Sequence, residues 1–163
     1  SVGNMGSMQR FDYSALGDGV NLASRLEGQS KTYGVDTVLN ETTVARCGDR
    51  MAALELDLIR VKGKDEPARI FALVGDGDLW TDDAFTAFAA QHRDILEAYR
   101  QQDWDRAEAA AIACAQSLET GPDWLRDGLR LDGLFALYRA RIAALREDPP
   151  PRDWDAVFEP GTK

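Results

Sequence analysis

The sequence predicts an α+β fold in which a strand-rich half precedes an all-helical half. Two observations carry this expectation. In residues 1–74 apolar side chains recur at every second position, as in Phe11 and Tyr13 or Leu54, Leu56 and Leu58, which is the period of half-buried strands. Beyond residue 78 they recur at threes and fours, as in Phe85, Phe88, Ile95, Leu96 and Tyr99, which is the period of helices. The run Gly75-Asp76-Gly77-Asp78 separates the two patterns, so the chain divides into 1–75 and a helical tail over 76–163.

Taken in order, residues 1–5 and 10–15 read as strands joined by a turn around Gly6-Ser7-Met8-Gln9. Gly17 to Gly19 make a bend. A helix is expected over 20–33 with Val20, Leu22, Ala23 and Leu26 inward, stopped by Gly34. Residues 36–39 read as a short buried strand, and Asn40 as the N-cap of a helix to Arg46 closed by Gly48. Strands follow over 53–62 and 68–74, joined by the turn formers Gly63-Lys64-Asp65-Glu66-Pro67. In the tail, helices are expected over 82–102, 103–119 and 123–146. The second carries Trp104, Ala107, Ala111 and Cys114 on one stripe; the third runs through Leu125, Leu129, Leu134, Leu137, Tyr138, Ile142 and Leu145. Gly121-Pro122 breaks the second from the third, and Pro149-Pro150-Pro151 ends helical structure. The strands of the first half call for partners, and Ser1-Val2-Gly3 reads as the inside of a strand. The chain is therefore expected to be part of something longer.

With 163 residues, 44% of them hydrophobic, the chain suffices for one domain or for a partial domain with an appendage. Residues 1–74 carry nine Lys/Arg against ten Asp/Glu, and residues 75–163 ten against eighteen, giving −1 and −8 of the total −9. An acidic chain without a basic cluster is a poor phosphate-backbone binder, so nucleic acid is not an expected partner. Repulsion argues equally against an anionic membrane surface. No apolar run approaches the ~20 residues that cross a bilayer. Cys47 and Cys114 fall in different halves, and His92 is the sole histidine, which argues against a disulfide or a zinc site. A reducing, cytoplasmic setting fits best.

The most informative run is Gly17-Asp18-Gly19-Val20-Asn21-Leu22-Ala23-Ser24-Arg25-Leu26-Glu27. Asn21 and Arg25 are four apart, so on a helix an amide and a guanidinium share one face near a helix start. Helix starts favour phosphate, and a forked, permanently charged guanidinium suits phosphoryl oxygens. The pair alone also describes a solvated helix face. Asp12 reads as a strand-surface carboxylate and Asp18 as part of the bend, so neither is assigned to a metal.

Three blocks stand in order: Val2-Gly3-Asn4-Met5-Gly6-Ser7, then Tyr13-Ser14-Ala15-Leu16-Gly17-Asp18-Gly19-Val20-Asn21-Leu22-Ala23-Ser24-Arg25-Leu26, then Val61-Lys62-Gly63-Lys64. Together they closely resemble the C-terminal half of the class III nucleotidyl cyclase catalytic domain, of bacterial type, over about residues 1–74. The resemblance implies part of a ferredoxin-like cyclase fold and conversion of ATP to 3′,5′-cyclic AMP and pyrophosphate. The family's site lies between two protomers of a homodimer. By this resemblance Asn21 positions the ribose and Arg25 stabilises the transition-state phosphate. Lys62 contacts the terminal phosphates and Ser14 helps select the purine. The Mg²⁺ or Mn²⁺ ligands belong to an N-terminal half that these residues do not include, so this chain alone is expected to be inactive. The parent's upstream region is where a membrane anchor would lie.

Ser14 departs from the aspartate of many adenylyl cyclases, and a hydroxyl reads adenine less decisively than a carboxylate, which keeps guanylate cyclase as an alternative. Residues 98–107, Ala-Tyr-Arg-Gln-Gln-Asp-Trp-Asp-Arg-Ala, resemble the inter-repeat turn of tetratricopeptide-type helices. The tail thus reads either as a module for a protein partner or as a helical cap. A third alternative is a non-catalytic module in which the cyclase-like part only dimerises.

Overall fold

Strands β1 (Val2–Ser7) and β2 (Arg10–Ala15) pair antiparallel with Val2 opposite Ala15 and Ser7 opposite Arg10. They form a two-stranded sheet of their own. The computed structural model describes the backbone at residues 1–7, 10–60 and 66–159, and side chains there except at 4–14, 126–128 and 132. The expected turn residues Met8 and Gln9 and most of the 63–67 turn lie outside the described residues.

Helix α1 (Asp18–Glu27) is followed by α2 (Gln29–Tyr33). The single helix expected over 20–33 is thus two, joined by Gly28, whose backbone is itself helical at φ −59°, ψ −24°. Gly34 ends α2 at φ +68°, a conformation that costs a residue with a Cβ roughly 1–2 kcal/mol. Of the residues expected inward on α1, Leu26 is buried and Leu22 partly so, whereas Val20 and Ala23 are exposed. The reason is geometric: α1 packs mainly on α2 and the next strand, and its first turn projects clear of them.

That strand, β3 (Val38–Asn40), begins later than expected and is half-buried, because it is an edge of the sheet β3-β5-β4. Asn40 caps α3 (Glu41–Cys47), its side chain accepting from the Thr43 N–H at 2.8 Å. The long hairpin of β4 (Met51–Ile59) and β5 (Ala68–Asp76) completes the sheet, all antiparallel. After a 3-10 turn over Gly77–Thr81 come α4 (Asp83–Arg100), α5 (Trp104–Thr120), α6 (Asp123–Gly128) and α7 (Asp132–Glu147). The helix expected over 123–146 breaks at 129–131. Leu129 and Leu131 are both buried, and two residues of spacing two reach one side only from an extended backbone.

Helices and three-stranded sheet share one apolar core, from Leu26 and Tyr33 through Leu54, Leu56 and Ile70 to Phe88, Tyr138 and Ile142. β4 is the strand they grip. Its alternation fails at a β-bulge, where Glu55 pairs with Phe71 but Asp57 pairs with Ile70, leaving Leu56 as the extra residue. The bulge turns Asp57 and Ile59 inward and leaves Leu58 only half-buried, contrary to the simple period-2 expectation. Helices take up the strand's polar groups there. The His92 Nε2–H donates to the Glu55 carbonyl at 2.6 Å, the Tyr138 hydroxyl donates to the Leu56 carbonyl, and Arg100 pairs with the Glu55 carboxylate.

The final stretch, 149–159, turns back onto β4. The Arg60 N–H donates to the Phe158 carbonyl and the Phe158 N–H to the Leu58 carbonyl, both at 2.9 Å, and Ile59 and Phe158 form a parallel bridge. Trp154 packs edge-on against Tyr99, ring centres 5.3 Å apart.

A Cβ at Gly77 would stand 1.8 Å from the Asp49 carbonyl oxygen, so Gly77→Ala must push two backbones apart. Urea unfolding should show a loss of about 3 kcal/mol. Burial lowers the pKa of His92, partly opposed by the Glu55 carbonyl and carboxylate, so the unfolded chain takes up this proton more readily than the native one. Stability from this group is therefore full above the unfolded value near 6.5 and declines as pH falls below it. His92 is the only histidine. Its slope, at most about 1.4 kcal/mol per pH unit, should disappear in His92→Phe when urea midpoints are compared between pH 7.5 and 5.5.

Candidate functional site

The surface of interest is the exposed start of α1. Gly17 sits at φ 150°, ψ 166°, which turns the chain sharply from β2 into the helix and is open to glycine alone among ordinary residues. Its carbonyl accepts from the Val20 N–H at 3.1 Å and the Asn21 N–H at 3.0 Å, closing the first turn. No side chain caps this end, and Asp18 lies in the first turn. The N-terminal N–H groups of α1 thus carry the partial positive charge of the helix start without a capping oxygen.

Asn21 and Arg25 are both exposed, one turn apart on α1. The structure therefore brings these two together on one helix face, as the sequence pattern requires. A small apolar group accompanies them: Val2, Leu16 and Val20 are 68%, 58% and 43% exposed. Val2 and Leu16 lie at adjacent ends of the β1–β2 pair, tied by the Leu16 N–H to the Ser1 carbonyl at 2.7 Å. Apolar side chains rimmed by polar ones in this way suit contact with another protein surface.

Ser14 stands opposite Gly3 in the β1–β2 pair; its side chain lies outside the described residues. Lys62 lies outside them altogether. A cleft of about 360 Å³ opens on another side of α1, walled by Ala23, Leu26, Glu27, Ser30, Leu39 and Thr43; Asn21 and Arg25 are not in its wall. Among the described residues no group of three or more His, Cys, Asp or Glu side chains could hold a metal ion. Cys47 and Cys114 are unpaired, and burial pushes the Cys114 thiol up to about 12, so it stays protonated. No helix among the described residues is long and apolar enough to cross a membrane.

Sequence reasoning missed one cluster. Asp57, 2% exposed, accepts from the Tyr33 hydroxyl and from Arg141 Nη1, each at 2.6 Å on Oδ2, and from the Leu58 N–H on Oδ1 at 2.8 Å. The Arg141 guanidinium lies 3.6 Å from the Phe158 ring centre and 5.3 Å from that of Tyr33. Burial raises the Asp57 carboxyl above the usual carboxylate range, with Arg141, Tyr33 and Leu58 pulling it back. Burial likewise raises the Tyr33 hydroxyl, reinforced by the Asp57 charge. The only signal in the sequence was an aspartate among the leucines of a strand, which alternation assigns to solvent.

Over part of its length the chain is similar to adenylate cyclases. Adenylate cyclase 1 of Rhizobium meliloti is 39% identical over 74 residues, covering 45% of this chain and 11% of the relative. The adenylate cyclase of Anabaena cylindrica is 37% identical over 73 residues, covering 43% and 14%. The terminal-differentiation-specific adenylate cyclase of Dictyostelium discoideum is 35% identical over 80 residues, covering 47% and 4%. The chain thus contains an adenylate cyclase-related region and spans a small fraction of these curated relatives. No protein-family model matches it, and no solved structure matches it.

Because Asn21 and Arg25 are exposed, Asn21→Ala and Arg25→Ala should each leave the urea unfolding free energy within about 0.5 kcal/mol. Gly17→Ala, which forces a Cβ into a sparsely populated backbone region, should cost about 1–3 kcal/mol in the same measurement.

Proposed function

We propose that this chain supplies the ribose- and phosphate-orienting half of an adenylate cyclase site of class III type, completed across the interface of a homodimer. The ribose 3′ oxygen attacks the α-phosphorus, the bond to the bridging oxygen of the β-phosphate breaks, and pyrophosphate leaves. Asn21 holds the ribose, and Arg25 stabilises the charge that develops on the α-phosphoryl oxygens. Ser14 reads the purine edge and Lys62 engages the terminal phosphates. The second protomer brings the carboxylates for the divalent cation.

One observation carries the reading: Asn21 and Arg25 are presented outward together, one turn apart, at a helix start without a cap and beside exposed Val2, Leu16 and Val20. The relatives' names supply the reaction, and the similarity to them extends over a little under half of this chain.

A preorganised donor of this kind is worth ~3 kcal/mol in the transition state, roughly 10²-fold or more in rate. Cyclic AMP formation by the full-length protein with ATP and Mn²⁺ should fall by about that factor in Arg25→Ala. GTP in place of ATP should give little product, and residues 1–163 alone should give none. An unchanged rate in Arg25→Ala, or turnover by residues 1–163 alone, overturns the assignment.

A further inference from the structure

We propose that Tyr33, Asp57 and Arg141 are positioning residues for the Asn21–Arg25 face, through which helix α7 sets the angle at which α1 presents it; this deepens the nucleotide reading above and rests on it. α1 and α2 are joined by the single residue Gly28 and pack on each other, so the seating of α2 bears on how α1 lies. α1 itself is seated by Leu26, 3% exposed. The end of α2 is fixed by Tyr33, fully buried, through the hydroxyl that meets Asp57 Oδ2, the oxygen that also accepts from Arg141. Arg141 Nη2 also reaches the Tyr33 hydroxyl at 3.4 Å.

The next residues add to the hold. Gly34 abuts the first turn of α7 so closely that a Cβ there would lie 3.5 Å from the Gly133 Cα, and the converse distance is 3.6 Å. Asp36 pairs with Arg130 at 3.6 Å. These anchors join the end of α2 to β4 and to the α6–α7 corner. α1, packed on α2, takes its direction from that anchor, and a misplacement of ~1 Å in a substrate-positioning group can cost about 10²-fold in rate. Stability alone is a poor account of the cluster, since a buried ion pair rarely outperforms well-packed apolar side chains.

Tyr33→Phe removes one hydroxyl and leaves the ring. In the full-length protein, kcat for cyclic AMP formation should fall about tenfold while the KM for ATP stays within twofold, and Arg141→Met should do the same. Adding Tyr33→Phe to the Asn21→Ala/Arg25→Ala variant should cost no further rate, because a misaimed face matters only when its side chains are present. Amide hydrogen exchange over 18–27 should accelerate in Tyr33→Phe while that of α5 does not. Unchanged kcat in Tyr33→Phe, a further loss on adding it to Asn21→Ala/Arg25→Ala, or unaltered exchange over 18–27 overturns the positioning role. If Arg25→Ala itself leaves kcat unchanged, the nucleotide reading fails instead, and the exchange measurement still decides whether the cluster aims α1. Should Tyr33→Phe unfold, Arg141→Lys, which keeps the charge and loses the fork, is expected to show the same kcat loss, and its absence overturns the proposal.

Discussion

A carboxylate inside the core governs this molecule. The bulge at Leu56 rotates Asp57 from the solvent side of β4 to the buried side, where an isolated charge would cost several kcal/mol. Arg141 from α7 and Tyr33 from α2 meet it on the same oxygen, and the Leu58 N–H takes the other. Three segments far apart in sequence are therefore obliged to converge on one point. Removing any of them leaves a polar group stranded among Leu56, Tyr138 and Ile142.

The same bulge explains why the helices lie where they do. A disrupted ladder needs other partners for the strand's carbonyls, and His92 and Tyr138 supply them from α4 and α7. Glu55 on the opposite side is held by Arg100, with Arg69 at 3.5 Å. The helical layer is consequently registered against β4 by directional bonds as well as by apolar area. Apolar burial alone would allow the helices to slide; hydrogen bonds of fixed geometry do not.

Much of the local structure was legible. Asn40 as a cap, Gly34 and Gly48 as stops, the β4–β5 hairpin and the α4–α5 pair all follow from rules that act within a few residues. That Asn21 and Arg25 share one face of α1 followed from spacing in the same way. What the sequence concealed depends on contacts across the chain. Nothing near Asp57 announces the bulge that buries it, because the leucines around it continue a regular alternation. Arg141 lies eighty-four residues away on a helix whose other arginines, Arg139 and Arg146, are ordinary exposed or rim charges. The break at 129–131 was hidden for a related reason: two buried leucines outweigh the helical period on either side. Exposure of Val20 and Ala23 reflects tertiary packing as well, since amphipathic spacing states which residues share a face but not whether that face is covered.

The return of the last residues to β4 has a consequence for how the molecule behaves among its own copies. An open strand edge offers unpaired amides and carbonyls to any passing chain and is a template for fibrous assembly. Phe158 occupies that edge at Ile59 in a single parallel bridge, while Asp155 and Glu159 gather around Arg60 beside it. That end of β4 is thereby closed by a short plug edged in charge.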